Sequence, residues 1–505
     1  MMESTENARV SLQKHLPEPE ALKLIPEALA RKHKAIPINL MGNVLHVAMA
    51  NPTDILAIEA LASWSQMRIE PEVATAEEVL EAIDFNYKAY DEIEKQISSI
   101  SLADTTDINA QLNIDTSTEA PIAQALTLII DEAVKARASD VHLQPGEENL
   151  RVRYRIDGTL HDMFSLPLMT AIPLISRIKV ISNMNIAEHH RPQDGQFSVK
   201  TKGRIIDVRV GCISTVYGEM ATLRLLDKSR ATLSLSELGF LPESLDKYAN
   251  MLKVPYGIIL VSGPTGAGKT TTLYASVNTL DRIERNIITV EDPVEYRFEN
   301  INQIQVNPRA GVNFASGLRS ILRLDPDVIL IGEIRDAETA NIAIQSALTG
   351  HLVLSSIHAN DAVGVVLRLI DLGVEPFLVS SSLIGVVAQR MVRCICHNCA
   401  SKVNVSPIES MTYNSEMDEE RSEFLCGSGC NSCSNTGYRG RTGIFEILSA
   451  SDEFKAMLLK GATANKLRNQ AIREGMITLM KDGMYKVKEN ITTPAEVLRN
   501  AYTVE

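Results

Sequence analysis

The chain has 505 residues, 45% of them apolar and 22% charged. That is an ordinary globular balance, but too long for one core, so roughly three or four domains are expected. The net charge of −13 argues against a protein that coats nucleic acid along its whole surface. No stretch reaches the roughly 18 apolar residues that a spanning helix needs, and Glu3, Glu6 and Arg9 stand where a signal peptide would require an apolar core. A cytoplasmic location is therefore expected, with the seven cysteines reduced and any membrane contact peripheral.

Residues 1–95 read as a small α/β domain. Pro19 and Pro26 each open a helix, and Val44-Leu45-His46-Val47-Ala48-Met49-Ala50 reads as a strand in which His46 is a packed residue. Residues 96–120 are rich in Ser, Thr, Asp and Asn, with no Lys, Arg or aromatic residue, the composition of a linker. A second domain, 121–232, begins at Pro121 with a helix whose apolar residues are Ile122, Ala125, Leu126, Ile129 and Ile130. It continues through strands such as Leu150–Ile156, closed by the turn Asp157-Gly158. Cys212 falls in another of its strands as a core thiol. In the third domain, 233–392, strands alternate with helices, the pattern of a parallel sheet covered on both faces. Cysteine clusters mark a small subdomain over 393–440, and a mostly helical region, 441–505, ends the chain.

Residues 263–270 read Gly263-Pro264-Thr265-Gly266-Ala267-Gly268-Lys269-Thr270, between an apolar strand at 257–261 and a helix that begins with Thr271. Strand, glycine-rich loop and helix in that order make a phosphate-binding loop. The glycines let successive N–H groups face one phosphate cluster at the positive end of the helix. Lys269 is placed to reach the β- and γ-phosphates of ATP, and Thr270 to hold Mg²⁺. Three more apolar runs end in chemically useful residues: Ile287–Val290 in Glu291, Asp327–Gly332 in Glu333, and Leu352–Ile357 in His358. In open parallel sheets ligands bind beyond the carboxyl ends of the strands, which makes Glu333 the choice for the carboxylate that orients water. His351 and His358, taken alone, read as packed or hydrogen-bonded histidines.

Cys396-His397-Asn398-Cys399 and Cys430-Asn431-Ser432-Cys433 are two knuckles with thirty residues between them. Four thiolates from two such knuckles make a closed tetrahedral Zn²⁺ site, and a reducing compartment disfavours disulfides. Cys394, Cys426 and His397 lie close by, so the ligand register stays open.

The four strings Gly263–Tyr274, Thr289–Tyr296, Asp325–Asp336 and Thr349–Asp361 resemble, in this order, the Walker A, Asp box, Walker B and His box of the type II/type IV secretion ATPases. The resemblance covers nearly the whole chain. Residues Gly373–Leu383 bring it nearest to the type II secretion branch of the GspE/PilB family. The resemblance implies a RecA-like ATPase core, a preceding α/β (PAS-like) domain, a small N-terminal α/β domain and a tetracysteine zinc subdomain. It also implies roles that spacing does not supply. Glu291 would help position the metal or the attacking water, and Glu333 would be the catalytic glutamate. His351 and His358 would sense the γ-phosphate, and Arg209 and Arg224 would close over the phosphates. Thr271 completes the nucleotide-contacting set of residues 263–271. The family works as homo-hexamers that hydrolyse ATP to drive pseudopilus assembly and protein export, peripherally attached to inner-membrane platform proteins of the GspL and GspF kind. The N-terminal domain would be the docking module. Some relatives bind cyclic di-GMP through paired Arg-Leu-Gly motifs, and the sequence contains no such segment. Type IV pilus extension is the alternative, followed by a DNA-uptake translocase, which the acidic charge and the single tryptophan disfavour, and by a nucleotide-binding scaffold, against which Lys269, Thr270 and Glu333 count.

Overall fold

The structure is a computed structural model that describes residues 19–22, 24–76, 78–80, 82–83, 116–201, 203–227, 233–434 and 436–501. It divides into two units. The first comprises residues up to 228 with Cys396–Ser401 and Cys426–Arg439, and the second holds the rest. Of the stretch read as a linker, residues 96–115 lie outside the described residues. The last five are helical, because the helix expected from Pro121 starts at Thr116 and runs to Lys135 with Pro121 inside it.

In the first unit, β1 (Ala35–Met41) and β2 (Val44–Met49) pair antiparallel, while β3 (Arg68–Val73) pairs parallel with β2. A parallel neighbour needs a crossover, supplied by the helix Ile55–Ser65, whose first turn is capped by the Asp54 carboxylate accepting from Ala57 N–H. His46 is partly buried in β2, and its ring hydrogen-bonds Glu72 of β3 at 2.9 Å.

The next domain is an antiparallel sheet of β4 (Ala138–Pro145), β5 (Asn149–Ile156), β6 (Thr159–Pro167), β7 (Gln193–Thr201), β8 (Arg204–Thr215) and β9 (Gly218–Asp227), in the order β6-β5-β4-β9-β8-β7. Asp157 and Gly158 both take positive φ, 47° and 90°, as a two-residue hairpin turn of the primed type requires. Period-two alternation sends Val141, Leu143, Val152, Tyr154, Val208, Val210 and Leu223 into a core shared with the helices Thr116–Lys135 and Ala171–Ile181. The Tyr154 hydroxyl donates to the Ile129 carbonyl at 2.6 Å inside that core. Cys212 is buried, as expected of a core thiol, and burial pushes it up to about 11.

The second unit is built on β10 (Gly257–Ser262), β11 (Ile287–Glu291), β12 (Asn302–Gln305), β13 (Val328–Ile331), β14 (Leu352–Ile357) and β15 (Leu383–Ile395). After a two-stranded excursion, β16 (Ala400–Asn404) and β17 (Glu423–Gly427), the strand β18 (Tyr438–Ser449) joins the sheet. The order is β12-β11-β13-β14-β10-β15-β18, with β10 parallel to both β14 and β15. The strands are buried on both faces, which explains their unbroken apolar runs. Ile258, Leu260, Ile329 and Ile331 enter one core, and Ile259, Val261, Val328 and Leu330 the other. The region expected to be helical from 441 onward instead starts inside β18. Ile444, Phe445, Ile447 and Leu448 are buried there because they complete the sheet, and among the described residues four helices follow, from Asp452–Leu459 to Pro494–Ala501.

Candidate active site

The phosphate loop leaves β10 at Gly263 and ends on the helix Lys269–Thr279, with Gly268 at the N-cap in a left-handed conformation (φ 87°). At Gly263, φ is 149° and a Cβ would stand 2.3 Å from the carbonyl oxygen of Gln389, so only glycine fits. The first N–H groups of a helix have no intrahelical partner and are available to an anion at its start. Lys269 lies across the loop, donating to the carbonyls of Gly263 at 2.8 Å and Pro264 at 3.1 Å. Burial lowers its pKa, and the Glu333 carboxylate works in the opposite direction. A pocket of backbone amides, a half-buried ammonium and the Thr270 hydroxyl fits a magnesium-bound triphosphate.

The strand ends converge as parallel pairing dictates. Ser262 is in register with Ile357, and Ile331 with Ser355, so Glu333 and His358 emerge at the edge that carries the loop. His358 Nε2 stands 3.6 Å from Glu333, whose other oxygen accepts from the Arg335 guanidinium. That hydrogen bond raises the Arg335 pKa. The Ser262 hydroxyl donates to the Ala359 carbonyl at 2.8 Å, fastening the residue after His358 to the strand that feeds the loop.

His351 does not join them. It precedes β14, where Gly257 N–H donates to its carbonyl, and its ring meets the Ser346 carbonyl at 2.9 Å. With six strand residues between them, seven steps of about 3.3 Å separate the two histidines by roughly 23 Å. Within a single chain the two histidines therefore stand at opposite ends of β14. Glu291 is at the right edge but is buried and engaged. One oxygen accepts from Tyr274, and the other from Thr289 at 2.6 Å and Gln303 at 3.1 Å.

Arg209 and Arg224 belong to the first unit. They are paired across β8 and β9, on the sheet face opposite the core. Arg224 Nε donates to the buried Asp140 carboxylate at 3.0 Å, and Arg155 approaches its other oxygen at 3.7 Å. His142, two residues along β4, has a lowered pKa, chiefly from burial and then from Arg155, Arg153 and Arg224, against the pull of Asp140.

The sulfurs of Cys396, Cys399, Cys430 and Cys433 all lie within 4.8 Å of one another, which selects these four from the neighbouring cysteines. Cys396–Cys430, Cys399–Cys433 and Cys430–Cys433 are 3.7, 3.8 and 3.7 Å apart. A tetrahedron with Zn–S bonds of about 2.3 Å has edges of about 3.8 Å, so the donor set fits zinc in chemistry and in size.

Sequence reasoning passed over Gln389, Tyr274 and Gln303, which hold the loop and Glu291 in place. For Gln389 there was a signal, a lone amide in the apolar run Gly385-Val386-Val387-Ala388. For Tyr274 and Gln303 the partners meet only in the folded chain.

Residues 115–499 match the family model for type II/IV secretion system proteins, and residues 8–92 match that of the MshEN domain. The chain is 39% identical to the type IV pilus assembly ATPase PilB of Myxococcus xanthus over 96% of its own length and 87% of that protein. It is 44% identical to the type II secretion system ATPase E of Vibrio cholerae over 79% of each chain. Among solved structures it resembles the pilus retraction motor PilT with bound ADP, at 25% identity and a TM-score of 0.50, over 74% of this chain and 95% of that one.

Proposed function

We propose a motor ATPase that drives secretion, since the chain belongs to the type II/IV secretion system protein family. It hydrolyses ATP to power pseudopilus assembly and protein export through a type II secretion system. The observation that carries this reading is the convergence of the phosphate loop, Glu333 and His358 on one sheet edge. The nearly full-length match to a pilus assembly ATPase supports pilus extension as the second reading.

Lys269 would trade its two loop carbonyls for phosphate oxygens, and the loop amides would hold the remaining charge. Thr270 would hold Mg²⁺, which when bound neutralises phosphate charge. Glu333 orients the attacking water, and His358 and Arg335 fix its carboxylate. Glu291 acts from its cage on the Tyr274 side of the helix, so its part is to orient elements of the site. Arg209 and Arg224 serve as the guanidinium groups that close over the phosphates, a task that forked donors suit. That closure makes turnover depend on domain movement within a homo-hexamer. Cys396, Cys399, Cys430 and Cys433 would hold a structural Zn²⁺, their four sulfurs lying within 4.8 Å of one another.

No helix among the described residues is long and apolar enough to cross a membrane. Attachment would run through inner-membrane platform proteins from the cytoplasmic side, with residues 1–95 as the docking module and no part for nucleic acid. The test is phosphate release per chain against protein concentration, with mass measured in parallel. Turnover should rise as hexamers form, and Arg209→Ala or Arg224→Ala should lower it far more than nucleotide binding. A high rate that stays flat for a strict monomer contradicts the motor.

A further inference from the structure

We propose that Gln389 is a positioning residue for nucleotide binding, a clamp by which β15 sets the shape of the phosphate loop. The residue is 2% exposed, and both ends of its side-chain amide are spent on the loop and its helix. Nε2 donates to the Ala267 carbonyl at 2.6 Å, and Oε1 accepts from the Thr272 hydroxyl at 2.7 Å. The orientation of the amide is dictated, because a carbonyl only accepts and so Ala267 must face the NH₂ group.

The backbone of the same residue acts on a third point. Ser262 is in register with Ala388 across the parallel pair, which sets Gln389 beside the first residue of the loop. Its carbonyl oxygen occupies the space that any side chain at Gly263 would need. The start of the loop, its last turn and the first turn of the helix are thus tied to one residue far away in sequence. Gln389 touches neither the carboxylate of Glu333 nor the ammonium of Lys269 in any described hydrogen bond. Its effect runs through the position of the amides between Ala267 and Thr272. Removing the amide leaves a buried carbonyl and a buried hydroxyl without partners, and the loop must turn to satisfy them. Phosphate recognition by a row of N–H groups tolerates little such turning, because the donors must converge on one point.

This role rests on the reading of residues 263–270 as a phosphate loop. The experiment is calorimetric titration of the full chain with MgADP, together with steady-state ATP hydrolysis and melting without nucleotide. Gln389→Met keeps the length and apolar packing of the side chain and should weaken MgADP binding about tenfold or more. KM for ATP should rise in proportion, with kcat at saturation nearly unchanged. Thr272→Val removes one of the two bonds and should weaken binding about threefold. Adding it to Gln389→Met should cost little more, since the bond is already gone. Wild-type dissociation constants in both variants, even with a lowered melting temperature, would make Gln389 a packing residue and overturn the role. If Gln389→Met does not fold, Thr272→Val, which leaves β15 untouched, decides by the same criterion. A wild-type chain that binds no MgADP would instead refute the phosphate-loop reading, a result distinct from failure of the clamp.

Discussion

At Lys269 the ammonium is already held over the loop by two carbonyls, and burial favours its neutral form. Phosphate oxygens offer the same geometry with full negative charge, so nucleotide binding relieves what burial imposes. Lys269→Ala should therefore abolish MgADP binding, measured by calorimetry, without unfolding the sheet, because its ammonium is spent on the loop carbonyls of Gly263 and Pro264. The loop and its lysine were legible in the sequence because their chemistry is contiguous. The separation of the histidines was legible too. A six-residue strand bounded by His351 and His358 has to place them at opposite edges, but a motif treated as one unit hides that geometry.

Among the elements, β18 is the one least visible beforehand. Tyr438-Arg439-Gly440-Arg441-Thr442-Gly443 has the look of a loop, and only the apolar run after it betrays a strand. Its neighbour, the helix Leu479–Lys488, carries the buried pair Asp482 and Lys486, with Asp482 also accepting from Phe445 N–H at 3.2 Å. Burial raises Asp482 to about 6, with Lys486 opposing and Glu489 assisting. The unfolded value is about 3.9, so the folded state holds a proton that the unfolded state has lost between those pH values. Stability should fall as pH rises from about 4 to about 6, by up to roughly 3 kcal/mol. Denaturant melts across that range check it, and Asp482→Asn should flatten the slope. The cysteine cluster sets a second expectation at this scale. Metal analysis should find about one zinc per chain, as a closed four-thiolate site holds a single ion. Cys396→Ser with Cys399→Ser should release it and expose the segment between the knuckles to protease. A fully folded wild-type protein without metal would contradict the closed site.

Across the whole molecule, the α/β class, the parallel core and the family were legible because four motifs occur in the right order on alternating strands and helices. What was not legible is how side chains distant in sequence brace the site. Gln389 depends on the register of β15 against β10, and the cage around Glu291 depends on a tyrosine, a threonine and a glutamine from three elements. Asp140 likewise meets Arg224 only because β4 pairs with β9. Such contacts follow from tertiary register, which periodicity does not encode. The motor reading stands or falls on whether the residue at the end of β13 acts on water and not on nucleotide affinity. The most direct measurement is ATP binding and phosphate release by the Glu333→Gln chain beside the wild type. Wild-type affinity for MgATP with turnover lost is the expected result, and near-normal turnover in that variant would contradict it.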